Sequence, residues 1–213
     1  PHVMAGTGDT PESVTDPDME ALFEEFLRGS EETVTAFSET RPQAQPYHYL
    51  VRDTEQKGLC LHNGQLVATS LQGVNATQEG RCPGLGGSDT STTHGCSHPP
   101  HHLLLEPISV VPNRYLERKR CPLIVGIRGG TQALSCGTGP EPQLKLEEVQ
   151  LLDLFSRREE ATPCTFYKTF GGSTHTFESA AFPEHYLSTA SGHGEPLALA
   201  PRAAATSFYL RRK

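Results

Sequence analysis

The sequence predicts an all-β chain, a barrel or a sandwich, and three observations point that way. From Tyr47 onward the apolar residues fall into about a dozen runs of four to seven residues, the length of strands rather than helices. Turn residues punctuate those runs, as in HNGQ, VVPNR, IRGGTQ and GPEPQ. A clear helical period occurs only once, near the start of the chain.

That helix is the first element. In TDPDMEALFEEFLRG, Met19, Leu22, Phe23, Phe26 and Leu27 recur at the spacing of one helical face, with Asp16 and Pro17 as N-cap and first turn and Gly29 as the stop. The stretch ETVTAFSETRPQAQP after it reads as a linker, so the helix is expected outside the main core. Charge divides the chain at the same place. The formal net charge is −7, but residues 1 to 41 hold ten acids against Arg28 and Arg41, a balance of −8 that leaves about +1 for the rest. Residues 1–41 therefore read as a separate acidic leader or removable pro-segment, and 42–213 as the one sizeable domain.

The strands follow as YHYLV, GLCLH, QLVAT, ISVVP, PLIVGI, ALSC, QLKL, CTFYK, HTFES, HYLST, PLAL and SFYL; VQLLDLF is either a strand or a turn of helix. GIRGGTQ reads as a hairpin turn. Residues 79–107, rich in Gly, Ser, Thr, Pro and His, interrupt the series as a low-complexity insertion, either a solvated loop or a read-through intron. Cys82, His94, Cys96, His98, His101 and His102 within it match no common zinc spacing, and no metal or other cofactor is expected.

Several function classes are disfavoured. The G-x-S-x-G, H-E-x-x-H and phosphate-loop patterns are absent, and Ser179 and His185 lack a nucleophile-positioning turn, so no catalytic residue is expected. The near-neutral body has no basic stripe for nucleic acid. No run is long enough for membrane insertion, and no secretory signal is visible at PHVMAGTGDT. The six cysteines are scattered and read as free or buried thiols. Asn75-Ala76-Thr77 is a glycosylation sequon that carries little weight alone.

The stretch FESAAFPEHYLST closely resembles the signature segment of the interleukin-1 family of cytokines, through Phe177, Ser179, Ala180, Pro183, Tyr186, Leu187, Ser188 and Thr189. YLVRDTEQKGLCLHNGQLVATSLQG, ISVVPNRYLERKRCPLIVGIRGGTQALSCG, PQLKLEEVQLLDLF and TSFYL resemble further family segments in order. The resemblance implies a β-trefoil of twelve strands in three pseudo-repeats, although no threefold repeat is visible in the sequence. It makes FESAAFPEHYLST a hairpin that fills the barrel, with Pro183 shaping its turn, and so part of the scaffold. A lectin or protease inhibitor of the same fold is the weaker reading: a trefoil lectin is expected to repeat a sugar-binding set in each lobe, and the chain has no Trp.

The resemblance further implies an extracellular ligand, secreted without a signal peptide from a cytoplasmic precursor and monomeric. Its partners are an interleukin-1-type receptor ectodomain and, for agonists, the accessory chain; similarity to the receptor-antagonist members favours antagonist over agonist. Receptor-facing positions carried over from those members are Gln56, Gln72 and Tyr209, which match in type, and Arg52 and Ser70, which stand where aromatics are found. Ser207 stands where the antagonists differ among themselves. Val51-Arg52-Asp53 resembles the aliphatic-x-Asp motif that lies nine residues after a processed terminus, which places cleavage between Arg41 and Pro42 and predicts that trimming changes receptor affinity.

Overall fold

The computed structural model describes residues 16–28, 44–70 and 104–213. Arg41, Pro42, Gln72, Asn75 and most of the 79–107 insertion lie outside them. Thirteen strands form among the described residues: β1 (Tyr47–Asp53), β2 (Lys57–His62), β3 (Gln65–Ser70), β4 (Ile108–Pro112), β5 (Pro122–Ile127), β6 (Gln132–Ser135), β7 (Lys145–Glu147), β8 (Thr165–Phe170), β9 (His175–Ser179), β10 (Tyr186–Ser188), β11 (Glu195–Pro196), β12 (Ala198–Ala200) and β13 (Phe208–Arg212). Every run named from the sequence becomes one of them except VQLLDLF, which supplies the short helix α2 (Leu151–Leu154). The two-residue β11 was not foreseen.

The pairing is threefold. Strands β1, β4, β5, β8, β9 and β13 are each hydrogen-bonded to the next in that order, and β13 returns to β1, which closes a six-stranded barrel. Between the two barrel strands of each third lies a hairpin: β2 with β3, β6 with β7, and β10 with β12. This is the β-trefoil. Closure leaves no open edge in the barrel.

Inward residues alternate along each barrel strand. Val51, Ile108, Val125, Phe177 and Phe208 line the interior, and Leu59, Leu66, Leu134, Leu187 and Leu197 close it from the hairpin end, leaving a void of about 10 Å³, no more than roughly one water. Gly126 is required by close packing. A Cβ there would lie 2.2 Å from the Gln132 carbonyl oxygen and 2.9 Å from Leu151 Cδ2, so α2 presses on the barrel wall at a spot that only glycine leaves free. In the β5–β6 hairpin, Gly129 and Gly130 take φ of +68° and +99°, as the turn reading of GIRGGTQ expects.

The helix α1 (Pro17–Arg28) begins where its sequence signals place it: the Asp16 Oδ1 accepts the Asp18 N–H at 3.1 Å. It lies outside the barrel, as expected, but its apolar face packs onto the core. Met19, Leu22, Phe23 and Phe26 are all buried and continuous with the barrel's hydrophobic cluster, because the barrel end opposite the hairpins has no strands of its own to close it. The helix lies across that mouth. Phe26 meets Phe155 edge-on at 5.2 Å, and each buried side chain is worth roughly 1.5–3 kcal/mol.

Candidate functional site at the hairpin end

Register brings the candidate receptor residues together. Arg52 on β1 is paired with Tyr209 on β13 and with Gly58 on β2, and Gly58 with Thr69 on β3. One residue along, Ser70 is paired with Lys57. Ser207 immediately precedes β13, and Gln56 sits in the β1–β2 turn with φ of +64°. Five positions scattered from 52 to 209 thus converge on the end of four neighbouring strands. Direct cross-strand partners project to the same face, so Arg52 and Tyr209 point outward together while Val51, Asp53 and Phe208 point in. Tyr209 is 39% exposed, and Gln56 is also exposed. Ser70 is the last described residue before the insertion, whose end returns at Leu104, 67% exposed, and at Leu105, bridged to Cys60.

Beneath the surface is a buried polar network that the sequence reading missed. Asp53 Oδ1 accepts the backbone N–H groups of Glu55 at 2.9 Å and Lys57 at 2.8 Å, while its Oδ2 accepts the Thr189 hydroxyl at 2.7 Å. The buried Lys57 ammonium lies 3.4 Å from Asp53 Oδ2 and 2.9 Å from Glu55 Oε2, and donates to the Ala190 carbonyl. Burial pulls the Lys57 pKa down, but the Glu55 and Asp53 carboxylates outweigh it and hold the ammonium above its ordinary value. Asp53, expected from the resemblance to belong to a processing motif, is thus a structural clamp. It ties the turn that carries Gln56 to the end of the signature segment. The one available signal was Lys57 four residues after Asp53 at the start of an apolar run.

The signature segment forms the expected hairpin. Phe177, Ser179 and Leu187 are buried, Tyr186 half-buried and Pro183 exposed, and Tyr186 pairs with Glu178. The Ser179 hydroxyl accepts the Phe182 N–H at 3.1 Å, and the His185 ring faces the Pro183 carbonyl at 3.0 Å, so both groups serve the turn. Glu178 points to the other face, 3.1 Å from Arg120 Nη2. Cys121, Cys136 and Cys164 are free thiols; burial pushes Cys60, Cys121 and Cys136 up to about 11 and Cys164 to about 12. Among the described residues no cluster of His, Cys, Asp and Glu could hold a metal ion, and no helix is long and apolar enough to cross a membrane.

Comparison with known proteins agrees with the architecture. Residues 107–208 match the family model "Interleukin-1 / 18". The human interleukin-36 receptor antagonist protein is 35% identical over 151 residues, covering 71% of this chain and 81% of that protein. The human interleukin-1 receptor antagonist protein is 34% identical over 152 residues, 71% of this chain and 68% of its own length. Human interleukin-1 family member 10 is 29% identical over 169 residues, 78% of this chain and 93% of that protein. Among solved structures, interleukin-36alpha superposes with a TM-score of 0.54 at 22% identity, over 84% of this chain and 99% of that one. Chicken interleukin 1 beta gives 0.55 at 23%, over 78% and 96%. With the closed barrel, the three hairpins and the signature turn all in place, the chain belongs to the interleukin-1 family of cytokines.

Proposed function

We propose that this chain is a secreted, monomeric receptor antagonist: it occupies an interleukin-1-type receptor ectodomain with the hairpin-end surface and does not recruit the accessory chain. The observation that carries the reading is the convergence of Arg52, Gln56, Ser70, Ser207 and Tyr209 on one end of four adjacent strands. Tyr and Arg are the residue types that most often dominate binding energy at protein interfaces. The antagonist sign is supported by the relatives named as receptor antagonists. Gln72 is assigned to the receptor contact by family resemblance alone, since it lies outside the described residues. Residues 1–41 form a pro-segment removed between Arg41 and Pro42. Its helix α1 sits at the opposite barrel end, so trimming acts through the β1–β13 ladder rather than by uncovering Tyr209.

The test applies the full chain, and the chain cleaved after Arg41, to cells bearing an interleukin-1-type or interleukin-36-type receptor with its accessory chain. The expected result is no inflammatory reporter output from either form alone, a rightward shift of a known agonist's dose curve, and a larger shift after cleavage. Output from the protein alone makes it an agonist. Silence without a shift overturns receptor occupancy, and equal shifts overturn the pro-segment assignment.

A further inference from the structure

The barrel mouth differs in chemistry from the barrel interior. Its inward face carries Tyr49, Lys168, Phe170, His175, Leu210 and Arg212, where the interior is wholly apolar. Closing a barrel with hydrophobic residues of similar volume costs less than burying cations. The buried Lys168, with the half-exposed Arg212 beside it, marks an end built to meet carboxylates. The helix α1 supplies them: Asp16 Oδ2 lies 2.5 Å from Lys168 Nζ, Asp18 Oδ1 lies 3.4 Å from Arg212 Nη1, and Glu25 accepts the Tyr47 hydroxyl at 3.1 Å. Its apolar face supplies Met19, Leu22, Phe23 and Phe26, with the Arg118 guanidinium stacked 5.5 Å above Phe23 and bound to Glu24 at 2.8 Å.

The fit is incomplete. A cavity of about 230 Å³ remains between the first turn of α1 and the mouth. Two buried polar atoms in its lining, Tyr49 Oη and His175 Nδ1, have no hydrogen-bond partner among the described residues, and Tyr49 as a whole is only 4% exposed. The mouth offers more polar groups than α1 engages. A helix of 12 residues is also marginal by itself in water, so its order depends on being seated.

We propose that the barrel mouth is a second docking site, specific for an acidic amphipathic helix: α1 fills it in cis, and when α1 is displaced the mouth accepts such a helix from a partner. The site stands apart from the hairpin-end surface and does not depend on the receptor reading. Residues 29–43 tether α1 to the barrel, and a short tether gives an effective concentration on the order of a millimolar. An intact chain therefore excludes a competing helix, and a displaced α1 admits it.

The experiment uses a fluorescent peptide of the α1 sequence, DPDMEALFEEFLR, titrated by anisotropy into full-length protein. The wild-type chain is expected to bind no peptide at micromolar concentration. The Leu22→Asp/Phe26→Asp chain, whose own α1 cannot seat, is expected to bind saturably. Raising the salt to about 0.5 M should weaken that binding roughly fivefold, since much of the charge attraction is screened there, and adding Lys168→Glu should abolish it. A scrambled peptide of the same composition is expected not to bind. Absence of binding by the displaced chain, with its β-sheet circular dichroism intact, overturns the proposal and leaves α1 as a fixed part of the fold. Binding that is indifferent to Lys168→Glu overturns it too. If the double variant does not fold, a protease site placed within residues 29–43 of the wild-type chain replaces it: exchange of the cleaved α1 for labelled peptide supports the docking site, and retention without exchange overturns it.

Discussion

The two ends of the barrel each bury a lysine against carboxylates, but the carboxylates come from different places. At the hairpin end, Lys57 is held by Asp53 and Glu55 of its own turn and by the Ala190 carbonyl. At the mouth, Lys168 is held by Asp16, 152 residues away on a helix that is not part of the trefoil. The first arrangement cannot come apart unless the barrel does. The second can, because its acid rides on a separate element. One end is a permanent platform for exposed residues, and the other is a socket with a removable occupant.

Removing the acid at each end measures that difference. Asp53→Ala strips the acceptor from one buried and one part-buried N–H group and from the buried Thr189 hydroxyl and leaves Lys57 with a largely exposed partner, so a global loss of about 3–5 kcal/mol is expected in urea denaturation. Asp16→Ala breaks a pair whose acid side chain is 23% exposed but whose ammonium is only 2% exposed; undocking of α1 can return Lys168 to water, so a smaller loss of about 1–3 kcal/mol is expected. Hydrogen exchange should place that smaller loss in α1 alone, with the barrel amides unchanged. Equal costs, both global, would make α1 as permanent as the β1–β2 turn.

Acid is a second way to separate the two ends. Burial, followed by the charge of Lys168, lowers the His175 pKa from 6.5 to about 4. Burial raises Asp16, but Lys168 outweighs it and holds the carboxyl below its ordinary value. Both folded-state values are depressed, so the unfolded chain takes up protons first and stability is lost as pH falls. The His175 contribution is complete above about pH 6.5 and disappears toward pH 4, and that of Asp16 follows below its ordinary value of 3.8. Lys57 has the opposite sign: its raised pKa keeps its contribution complete below about 10.5 and loses it only in stronger alkali. A drop from pH 7 to 5 is expected to cost about 1–2 kcal/mol, seen as faster exchange in α1, and His175→Phe should flatten that response. A pH-independent α1 would remove the charge chemistry from the mouth.

The sequence made the two ends unequally legible. Strands were readable because each is a short apolar run cut off by turn residues, and ISVVP and PLIVGI became β4 and β5 as expected. The threefold repeat was hidden because it lies in pairing order, which very different side chains satisfy: the third lobe interposes β11 where the others have none. α1 itself was plain from its period. Its destination was not, since nothing local in DPDMEALFEEFLR says that Lys168 and Arg212 wait at an open barrel end. The Asp53, Lys57 and Thr189 network was invisible for the same reason: its members were each assigned to another motif or to none, and only the fold brings residues 53 and 189 within 2.7 Å. Arg52, Gln56, Ser70 and Tyr209 came from family resemblance, and strand register then put them side by side.

The smallest effect on folding is expected at Tyr209, and it bears most directly on which end does the work. Tyr209 projects outward from β13 beside Arg52, 39% exposed, so Tyr209→Ala should change stability by less than about 0.5 kcal/mol. At a binding hot spot the same truncation costs more than about 1 kcal/mol of affinity, roughly a fivefold or greater loss of potency in the agonist-shift assay. Leu210, the next residue, turns toward the mouth instead. Neighbours on one strand thus address opposite sites, and a pair of variants can tell them apart. If Tyr209→Ala leaves potency untouched while Leu210→Ala, which loosens α1, alters it, the hairpin end is scaffold and the socket is the surface that partners read.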